Sequence, residues 1–240
     1  MSNDVLISDL HLEEKNPYLA DIFKNFLKDC TSSASNLYIL GDFFEKWIGD
    51  DDLTSFNCMI IDSLRQATKK GLPIYFTHGN RDFLIGKKFL RMTGCQLLPD
   101  EFVANIFGTP TLLMHGDTLC TEDIKYLRFR KKSRSWLFKT IVQLYSLKKR
   151  RAIAERYREA SKKHVSSTPE YIMDVTQSEV ERVMKKHHVL RMVHGHTHRP
   201  AVHHFQLDGQ EAARTVLGAW HEQGNALICY PDGRQNWITF

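Results

Sequence analysis

Short apolar runs recur along the chain, and each of them ends at a polar turn that is often marked by glycine. The runs cover residues 5–7, 37–40, 73–77, 111–114 and 189–193. A short, uninterrupted apolar run bounded by turn residues is typical of a buried strand. Since longer segments with helical spacing separate the first runs, the pattern predicts an α/β fold.

Helical periodicity is clear between the first three runs. Apolar residues at positions 19, 22, 23, 26 and 27 form one stripe, which predicts a helix that packs on the sheet. A second helix is predicted over residues 54–70. After residue 200 the chain changes to alternating strands, and the turns at 208–209 and 231–233 predict two hairpins.

Residues 123–186 break this alternation and are predicted to form a helical cap inserted into a single domain spanning 1–240. From Lys125 to Lys163 there are 15 Lys and Arg against two Glu, a net charge of +13. Because the whole chain carries +5, the remainder carries −8. A basic module of this kind is expected to face nucleic acid, a phosphate-bearing ligand or an anionic membrane surface.

The cap also contains an apolar stretch, residues 136–147, between two basic clusters. It is too short to span a bilayer, but it would suit a helix that lies on a membrane interface or grips an acyl chain. The alternative is a pair of helices packed on the body with solvated charges.

Composition and cysteine usage predict a cytoplasmic protein. The N-terminus leads into a strand without the basic segment of a signal peptide, and no stretch approaches a membrane span. Five widely spaced cysteines without a Cys-x-x-Cys motif are expected to be small core residues in a reducing compartment.

Polar residues that follow the apolar runs form a candidate metal centre. Ligands at the carboxyl ends of strands are expected to converge at one edge of an α/β sheet. The candidates are Asp9, His11, Asp42, Asn80, His115, His196 and His198. This nitrogen and oxygen set without thiolate suits Mn²⁺, Zn²⁺, Fe²⁺ or Co²⁺, and seven ligands exceed one tetrahedral site. Two metal ions sharing a carboxylate such as Asp42 predict hydrolysis of a phosphate ester or anhydride.

Two further polar features follow the apolar runs but are not assigned to the metal centre. The acidic run at 49–52 is interpreted as a solvated turn or a helix cap rather than as part of the site. His194 is interpreted as a strand-end residue that supports the ligands from behind.

The motifs Asp9-x-His11, Gly41-Asp42, Gly79-Asn80, His115 and Gly195-His196-x-His198 resemble the calcineurin-like metallophosphoesterases over essentially the whole chain. The resemblance implies a sandwich of two β-sheets covered by helices, an αββα arrangement with the cap inserted. It also implies two ligand sets that share Asp42. These sets are Asp9, His11, Asp42 and His198 for one metal ion, and Asp42, Asn80, His115 and His196 for the other.

Longer stretches at 40–51, 78–84, 114–121 and 194–200 resemble one branch of this family, the enzymes that cleave the pyrophosphate of UDP-2,3-diacylglucosamine. The resemblance implies water attack at the α-phosphorus, release of UMP and the lipid 1-phosphate (lipid X), and two Mn²⁺ ions. It implies catalytic roles for Asp42, Asn80, Arg81, His115 and His196, and substrate contacts from Asn80, Arg81, Asp123, Ser161 and His196. It also implies peripheral attachment to the anionic cytoplasmic face of the inner membrane in Gram-negative lipid A biosynthesis, with neither nucleic acid nor an obligate protein partner.

Four positions depart from the family pattern. Arg81 stands where many members have a histidine that helps the leaving group, and Glu45 stands where many have an aspartate. An arginine binds phosphate oxygens but does not donate its proton, which favours an anhydride whose leaving group is already a phosphate monoester. Val165 and Thr168 replace cap positions that are usually polar or basic. The alternatives left open are a metal-dependent nuclease or general phosphodiesterase of the same fold, and a binding module whose metals only hold a scaffold.

Overall fold

A computed structural model of the chain describes residues 3–167, 169 and 172–240, without the side chains of residues 162 and 165–167 in one helix. The strands are β1 (Asn3–Ile7), β2 (Ala34–Ile39), β3 (Ile74–Phe76), β4 (Gln96–Leu97), β5 (Phe102–Ile106), β6 (Thr109–Met114), β7 (Arg191–His194), β8 (Ala201–Leu207), β9 (Gln210–Val216), β10 (Asn225–Cys229) and β11 (Gln235–Thr239). The helices are α1 (Pro17–Ser33), α2 (Ser55–Lys69), α3 (Lys87–Thr93), α4 (Ile124–Ser133), α5 (Trp136–Gln143), α6 (Leu147–Ser167) and α7 (Gln177–Lys186).

Two mixed sheets form the centre of the molecule. The first has the strand order β11-β10-β1-β2-β3-β4, and the second has the order β5-β6-β7-β9-β8. The neighbours β1, β2, β3 and β4 run parallel, as do β6, β7 and β9. The hairpins β5–β6, β8–β9 and β10–β11 are antiparallel, so both predicted C-terminal hairpins are confirmed.

Alternation of side chains along the strands builds four layers. Leu6 of β1 and Leu113 of β6 lie in the apolar cluster between the two sheets. Val5, on the opposite face of β1, packs with the buried residues of α1, α2 and α3. Met192 of β7 packs on the other side against Val180 of α7. The resulting order of helices, sheet, sheet and helix confirms the αββα sandwich.

Most sequence-based boundaries hold within a few residues. The helix predicted over 54–70 is α2, and the Thr54 side chain caps it by accepting a hydrogen bond from the Asn57 amide at 3.1 Å. Three short elements, α3, β4 and β5, were not predicted, because they are too short to show a periodic pattern. Four of the five cysteines are buried as expected, but Cys58 is exposed, so its prediction as a core residue was wrong.

The acidic run at 49–52 has specific partners. The Asp50 carboxylate accepts hydrogen bonds from the amides of Gly86, Lys88 and Phe89 at 2.9–3.0 Å, which confirms the helix-cap interpretation for α3. Asp51 and Asp52 also pair with arginines of α6, which the sequence had not indicated, although the Asp51 side chain stays 54% exposed.

The cap was predicted over residues 123–186, but α7, the last helix of that range, packs on β6 and β7 as part of the sandwich. The name cap is therefore kept for α4, α5 and α6, which are joined to the rest of the molecule, here called the body, largely by polar contacts. Every residue of α5 is exposed or half-buried, and the one buried residue of α4 is Ser133. The ion pairs between the described residues of cap and body include Arg130 and Arg134 with Asp100 and Asp117, Arg150 with Asp51, Arg151 with Asp52, Arg158 with Glu45, and Glu155 with Lys46. Five arginines of the cap therefore pair with acidic residues of the body, which the sequence had not indicated.

Candidate functional site

The candidate ligands lie on turns with an unusual backbone. Asp9, His11, Asp42, His196 and His198 all have positive φ angles, between 50° and 70°. Residues other than glycine rarely adopt this conformation, and it persists where the surrounding structure enforces it, often at functional sites. Asp9 and His11 lie beyond the end of β1 at Ile7. The turns therefore bring the two side chains together.

Asp9 lies at the centre of the site and is fully buried. Its Oδ2 accepts hydrogen bonds from the His196 amide at 2.9 Å and from the Ser8 hydroxyl at 2.6 Å. Its Oδ1 lies 3.3 Å from Nε2 of His198, and that nitrogen lies 3.3 Å from Nε2 of His11. Two imidazoles and one carboxylate oxygen therefore converge on one point.

Asn80 brings the second group of donors together. Its Oδ1 lies 3.0 Å from Nε2 of His115 and 3.0 Å from Nδ1 of His196. His115 also lies 3.7 Å from Asp42 Oδ1, and its other ring nitrogen is 2.9 Å from the Leu40 carbonyl. Since that carbonyl takes the Nδ1 proton, Nε2 is free to offer its lone pair.

These donors fit divalent metal ions. Asp9, His11 and His198 place one ligand atom each within 4.8 Å of one another, and so do Asp9, Asp42 and His115. Among the described residues, no group donates a hydrogen bond to the buried Oδ1 of Asp9, which leaves one carboxylate oxygen for a cation. Asp9 belongs to both groups by this geometry, whereas the shared role of Asp42 stays a prediction.

The charge states agree with this interpretation. Burial raises the pKa of Asp9, but the nearby imidazoles of His198, His115 and His11 outweigh it, so the net shift is downward. Burial lowers the pKa of His115, but the carboxylates of Asp42 and Asp9 outweigh it, so the net shift is upward. A metal ion bound beside these carboxylates would take the place of that proton. Burial and the charge of His115 lower the pKa of His196 to about 4. His196 is therefore neutral at neutral pH, as a metal ligand must be.

Two glycines allow the turns to pack this closely. A Cβ on Gly79 would lie 2.1 Å from Oδ1 of Asp42, and a Cβ on Gly195 would lie 2.3 Å from Oδ2 of Asp9. Both approaches are shorter than any side chain permits, so glycine is required where the Asn80 and His196 turns pass the carboxylates.

A buried pair behind the His196 turn was only partly foreseen. His194 is fully buried, and its Nδ1 lies 2.8 Å from the Gly195 carbonyl. Its Nε2 lies 3.0 Å from the Arg214 guanidinium, which donates and so fixes the proton of His194 on Nδ1. His194 thus supports the loop of His196, in line with its predicted position, although no sequence signal indicated Arg214 on β9.

A second supporting network joins the site to the cap. Asp117 is buried, and its carboxylate accepts hydrogen bonds from the Tyr126 hydroxyl and, at 2.7 Å, from Nε of Arg130. The Tyr126 ring stacks on His196, with centroids 6.2 Å apart. The position of Asp117, two residues after His115, was the only sequence signal for this network.

A cavity of about 600 Å³ opens between these donors and the cap. Asn80, Arg81, Asp123, Ser161 and His196, the residues predicted to contact substrate, all line it, together with Asp42 and His198. The same cavity has an apolar wall that includes Trp47, Phe129, Phe138, Val142, Ile153 and Tyr157. The side chain of Val165 and the whole of Thr168 lie outside the part of the chain that the structure describes.

The chain resembles known proteins along most of its length. The profile of the calcineurin-like phosphoesterase family matches residues 5–200. Proteins named UDP-2,3-diacylglucosamine hydrolase are similar: that of Azotobacter vinelandii is 51% identical over 93% of this chain and 92% of its own, and that of Pseudomonas aeruginosa is 49% identical over 96% of each. Among solved structures, an archaeal phosphodiesterase matches with a TM-score of 0.52 and 13% identity over 99% of both chains, a likeness of fold alone.

Proposed function

The chain belongs to the calcineurin-like phosphoesterase family, and from this premise we propose that it hydrolyses the pyrophosphate bond of UDP-2,3-diacylglucosamine. The products are UMP and 2,3-diacylglucosamine 1-phosphate, and the step belongs to the biosynthesis of lipid A. Relatives named for this hydrolysis, 45–51% identical over more than 90% of both lengths, support the proposal.

The observation that carries the proposal is the two-sided character of the cavity. Its floor holds the carboxylate, amide and imidazole donors, whereas its wall includes Phe129, Phe138 and Val142 of the cap. A substrate with a charged pyrophosphate and acyl chains needs both surfaces, because apolar chains gain free energy only when they leave water. A purely polar phosphodiester needs no apolar wall.

We propose that the seven donors hold two Mn²⁺ ions, since a nitrogen and oxygen set without thiolate suits this metal. Bound divalent ions would supply Lewis acidity to a phosphoryl oxygen and lower the pKa of a water. Asp9, His11 and His198 would hold one ion, and Asn80, His115 and His196 would hold the other. Asp42 is assigned to both.

The remaining groups of the site are assigned to binding and orientation. The Arg81 amide donates to Oδ1 of Asp42 at 2.8 Å, which fixes the start of its side chain beside the donors. Its Nε lies 3.6 Å from Oδ2 of Asp42, and its side chain lines the cavity, where the guanidinium group would bind a phosphate oxygen. In the proposed step water attacks the α-phosphorus, its oxygen stays in UMP, and the bridging oxygen leaves with the lipid phosphate.

The test is turnover with Mn²⁺ of UDP-2,3-diacylglucosamine, UDP-glucose and bis-p-nitrophenyl phosphate. We expect the lipid to be strongly preferred, with ¹⁸O from labelled water in UMP. Equal turnover of the three would reduce the assignment to a general phosphodiesterase, and label in the lipid phosphate would exclude attack at the α-phosphorus.

The cap's apolar residues divide into two sets with different expected roles. Phe138 and Val142 face the cavity, whereas Trp136 and Leu144 are 77% and 80% exposed. The double variant Phe138→Ala/Val142→Ala should raise KM for the diacylated substrate in detergent. Trp136→Ala serves as the matched control and should leave that KM unchanged.

We further propose that the outer face of α5 docks on the anionic cytoplasmic face of the inner membrane. Exposed Trp136, Leu137 and Leu144 lie beside the lysines of the cap, a pairing typical of interfacial helices. Within the described ranges no helix combines the length and the apolar character needed to cross a bilayer. Cosedimentation should favour phosphatidylglycerol vesicles over phosphatidylcholine vesicles, and Trp136→Ala/Leu144→Ala should weaken it. Equal binding to both lipids would contradict the proposal.

A further inference from the structure

Glu45 occupies a position between the cap and the candidate metal centre. Its Oε2 lies 3.0 Å from Nδ1 of His11, and its Oε1 forms an ion pair with Arg158 of α6. Arg81 approaches the same Oε1 at 3.8 Å. One carboxylate therefore faces a metal-ligating imidazole with one oxygen and two guanidinium groups with the other.

The backbone fixes this carboxylate in place. Leu12 and Phe44 form an isolated parallel bridge, in which the Leu12 amide donates to the Phe43 carbonyl at 2.9 Å. The Glu45 amide in turn donates to the Leu12 carbonyl at 3.1 Å. Because these bonds join the His11 turn to the Glu45 turn, the two side chains leave neighbouring backbones and meet.

The contact with His11 sets the direction of its ring. Nδ1 of His11 points towards the Glu45 carboxylate, although without the alignment of a full hydrogen bond. Nε2 of His11 then faces Nε2 of His198 at 3.3 Å, on the side of the metal donors. A carboxylate behind a ligating histidine makes it a better ligand and holds its orientation.

The contact with Arg158 has a different consequence. Arg81 and Arg158 both line the cavity, and the side chains of both are largely buried. In this arrangement the carboxylates of Glu45 and Asp42 partly neutralise the two guanidinium groups. A pyrophosphate carries more negative charge than a carboxylate, so a pyrophosphate that enters the cavity competes with Glu45 for the two guanidinium groups.

We propose that Glu45 is a positioning residue that couples the cap to the metal centre. One carboxylate oxygen orients His11, and the other holds Arg158 until a pyrophosphate group replaces Glu45 as the partner of that arginine. The proposal rests on the proposed function, because it takes a pyrophosphate as the anion that enters the cavity. Glu45 touches neither the reacting atoms nor the metal ions in this role.

The test uses Glu45→Gln, which keeps the shape of the side chain and removes its charge. Calorimetric titration of the metal-free full chain with Mn²⁺ should show one of two sites weakened about 10- to 100-fold. Titration of the same metal-free chain with inorganic pyrophosphate should show binding about five- to tenfold tighter than in the wild type, since the guanidinium groups lose a competitor. The two shifts have opposite directions, and a general loss of structure would weaken both.

Two further variants separate the contacts. Arg158→Met should weaken pyrophosphate binding, leave Mn²⁺ binding unchanged and remove most of the gain of Glu45→Gln in the double variant. Glu155→Gln is the matched control, because Glu155 pairs with Lys46 between the same helix and the same loop. It should alter neither titration.

Unchanged Mn²⁺ affinity in Glu45→Gln would overturn the coupling to His11, and unchanged or weaker pyrophosphate binding would overturn the competition. Neither titration uses the lipid. If the wild type does not turn over UDP-2,3-diacylglucosamine while both shifts occur, the proposed function fails and the coupling stands. If turnover occurs without the shifts, the coupling fails alone.

Discussion

The body and the cap are held together by different kinds of interaction. In the body, all five residues of β1 are buried, and Leu6 packs between the sheets. In the cap, the buried residues of α4 and of the described side chains of α6 are the polar Ser133 and Arg150, while Trp136 is exposed. Apolar burial therefore stabilises the body, and ion pairs attach the cap.

This difference matches the tasks of the two regions. Donors on strained turns must be held in place, which a close-packed double sheet can enforce. A cap that admits a large substrate must open, and partly exposed ion pairs are weak enough to allow this. The comparison predicts that the same kind of substitution has different effects in the two regions.

The largest effect is expected at Asp9, which lies in both groups of donors. Asp9→Asn should lower turnover roughly a thousandfold, since metal-ion catalysis supplies several kcal/mol at about 1.4 kcal/mol per factor of ten. Metal counting on purified Asp9→Asn and His198→Gln should each show one ion lost, whereas Asp42→Asn, at the carboxylate assigned to both ions, should lose both. Two retained ions in Asp9→Asn would contradict the assignment of this carboxylate to the metal centre, and the loss of both ions there would show that Asp9 is a shared ligand.

The second prediction compares leucines in the two regions. Leu113→Ala should lower the free energy of unfolding by about 2–5 kcal/mol, because Leu113 is buried between the sheets and its removal leaves a cavity. Leu144→Ala, at an exposed position of the cap, should change it by less than about 0.5 kcal/mol. Urea unfolding measures both. A comparable loss in Leu144→Ala would show that the cap has a hydrophobic core of its own.

The sequence predicted the body better than the cap, for a physical reason. The ends of parallel strands meet at one edge of a sheet, so Asp9, Asp42 and Asn80 could be grouped from their positions alone. His115 follows β6 of the second sheet, so its place beside them depends on how the two sheets pack. The positive φ angles of Asp9 and His11 could not be predicted, because neighbouring turns impose them. The sequence pattern thus predicted which residues meet, but not the backbone conformation that brings them together.

In the cap the sequence showed the charges but not their partners. The excess of basic residues was interpreted as facing an external anion, yet Arg150 and Arg151 pair with Asp51 and Asp52 of the body. The acidic run that contains these aspartates was itself interpreted as a turn or cap. Pairing across about 100 residues depends on the tertiary fold, which no local pattern contains.

The third prediction concerns buried histidines of the body. Burial lowers the pKa of His78 to about 4, and burial together with the charge of Arg214 lowers that of His194 to about 3. Because an unfolded histidine titrates near pH 6.5, the unfolded chain binds more protons between about pH 6.5 and 4. The contribution of these histidines is complete above pH 6.5 and decreases as the pH falls, by about 1.4 kcal/mol per pH unit each.

Urea unfolding of the metal-free chain from pH 8 to 4.5 measures this slope. His194→Asn should reduce it by close to one proton. His204→Asn, at an exposed position of β8, is the matched control and should leave it unchanged. Identical slopes in all three proteins would mean that His194 is not desolvated in the folded body.

The smallest effect is expected at the arginines that attach α6. Arg150 is 4% exposed, and its guanidinium donates to the Ile48 carbonyl at 2.9 Å, to Asp51 at 2.7 Å and to the Tyr145 carbonyl at 3.0 Å. Arg150→Met leaves those acceptors without a donor, so docking of the cap should weaken by about 1–2 kcal/mol. Arg151→Met, at an exposed ion pair, should weaken docking less than Arg150→Met does.

Amide hydrogen exchange distinguishes local from global effects of these variants. Arg150→Met should speed exchange in α6 about tenfold while exchange in β1 and β6 keeps its wild-type rate, because the cap opens without unfolding the body. Parallel acceleration in the strands and the cap would show that the two regions unfold as one unit. In that case the division between an apolar body and an ion-paired cap would describe their contacts but not their stability.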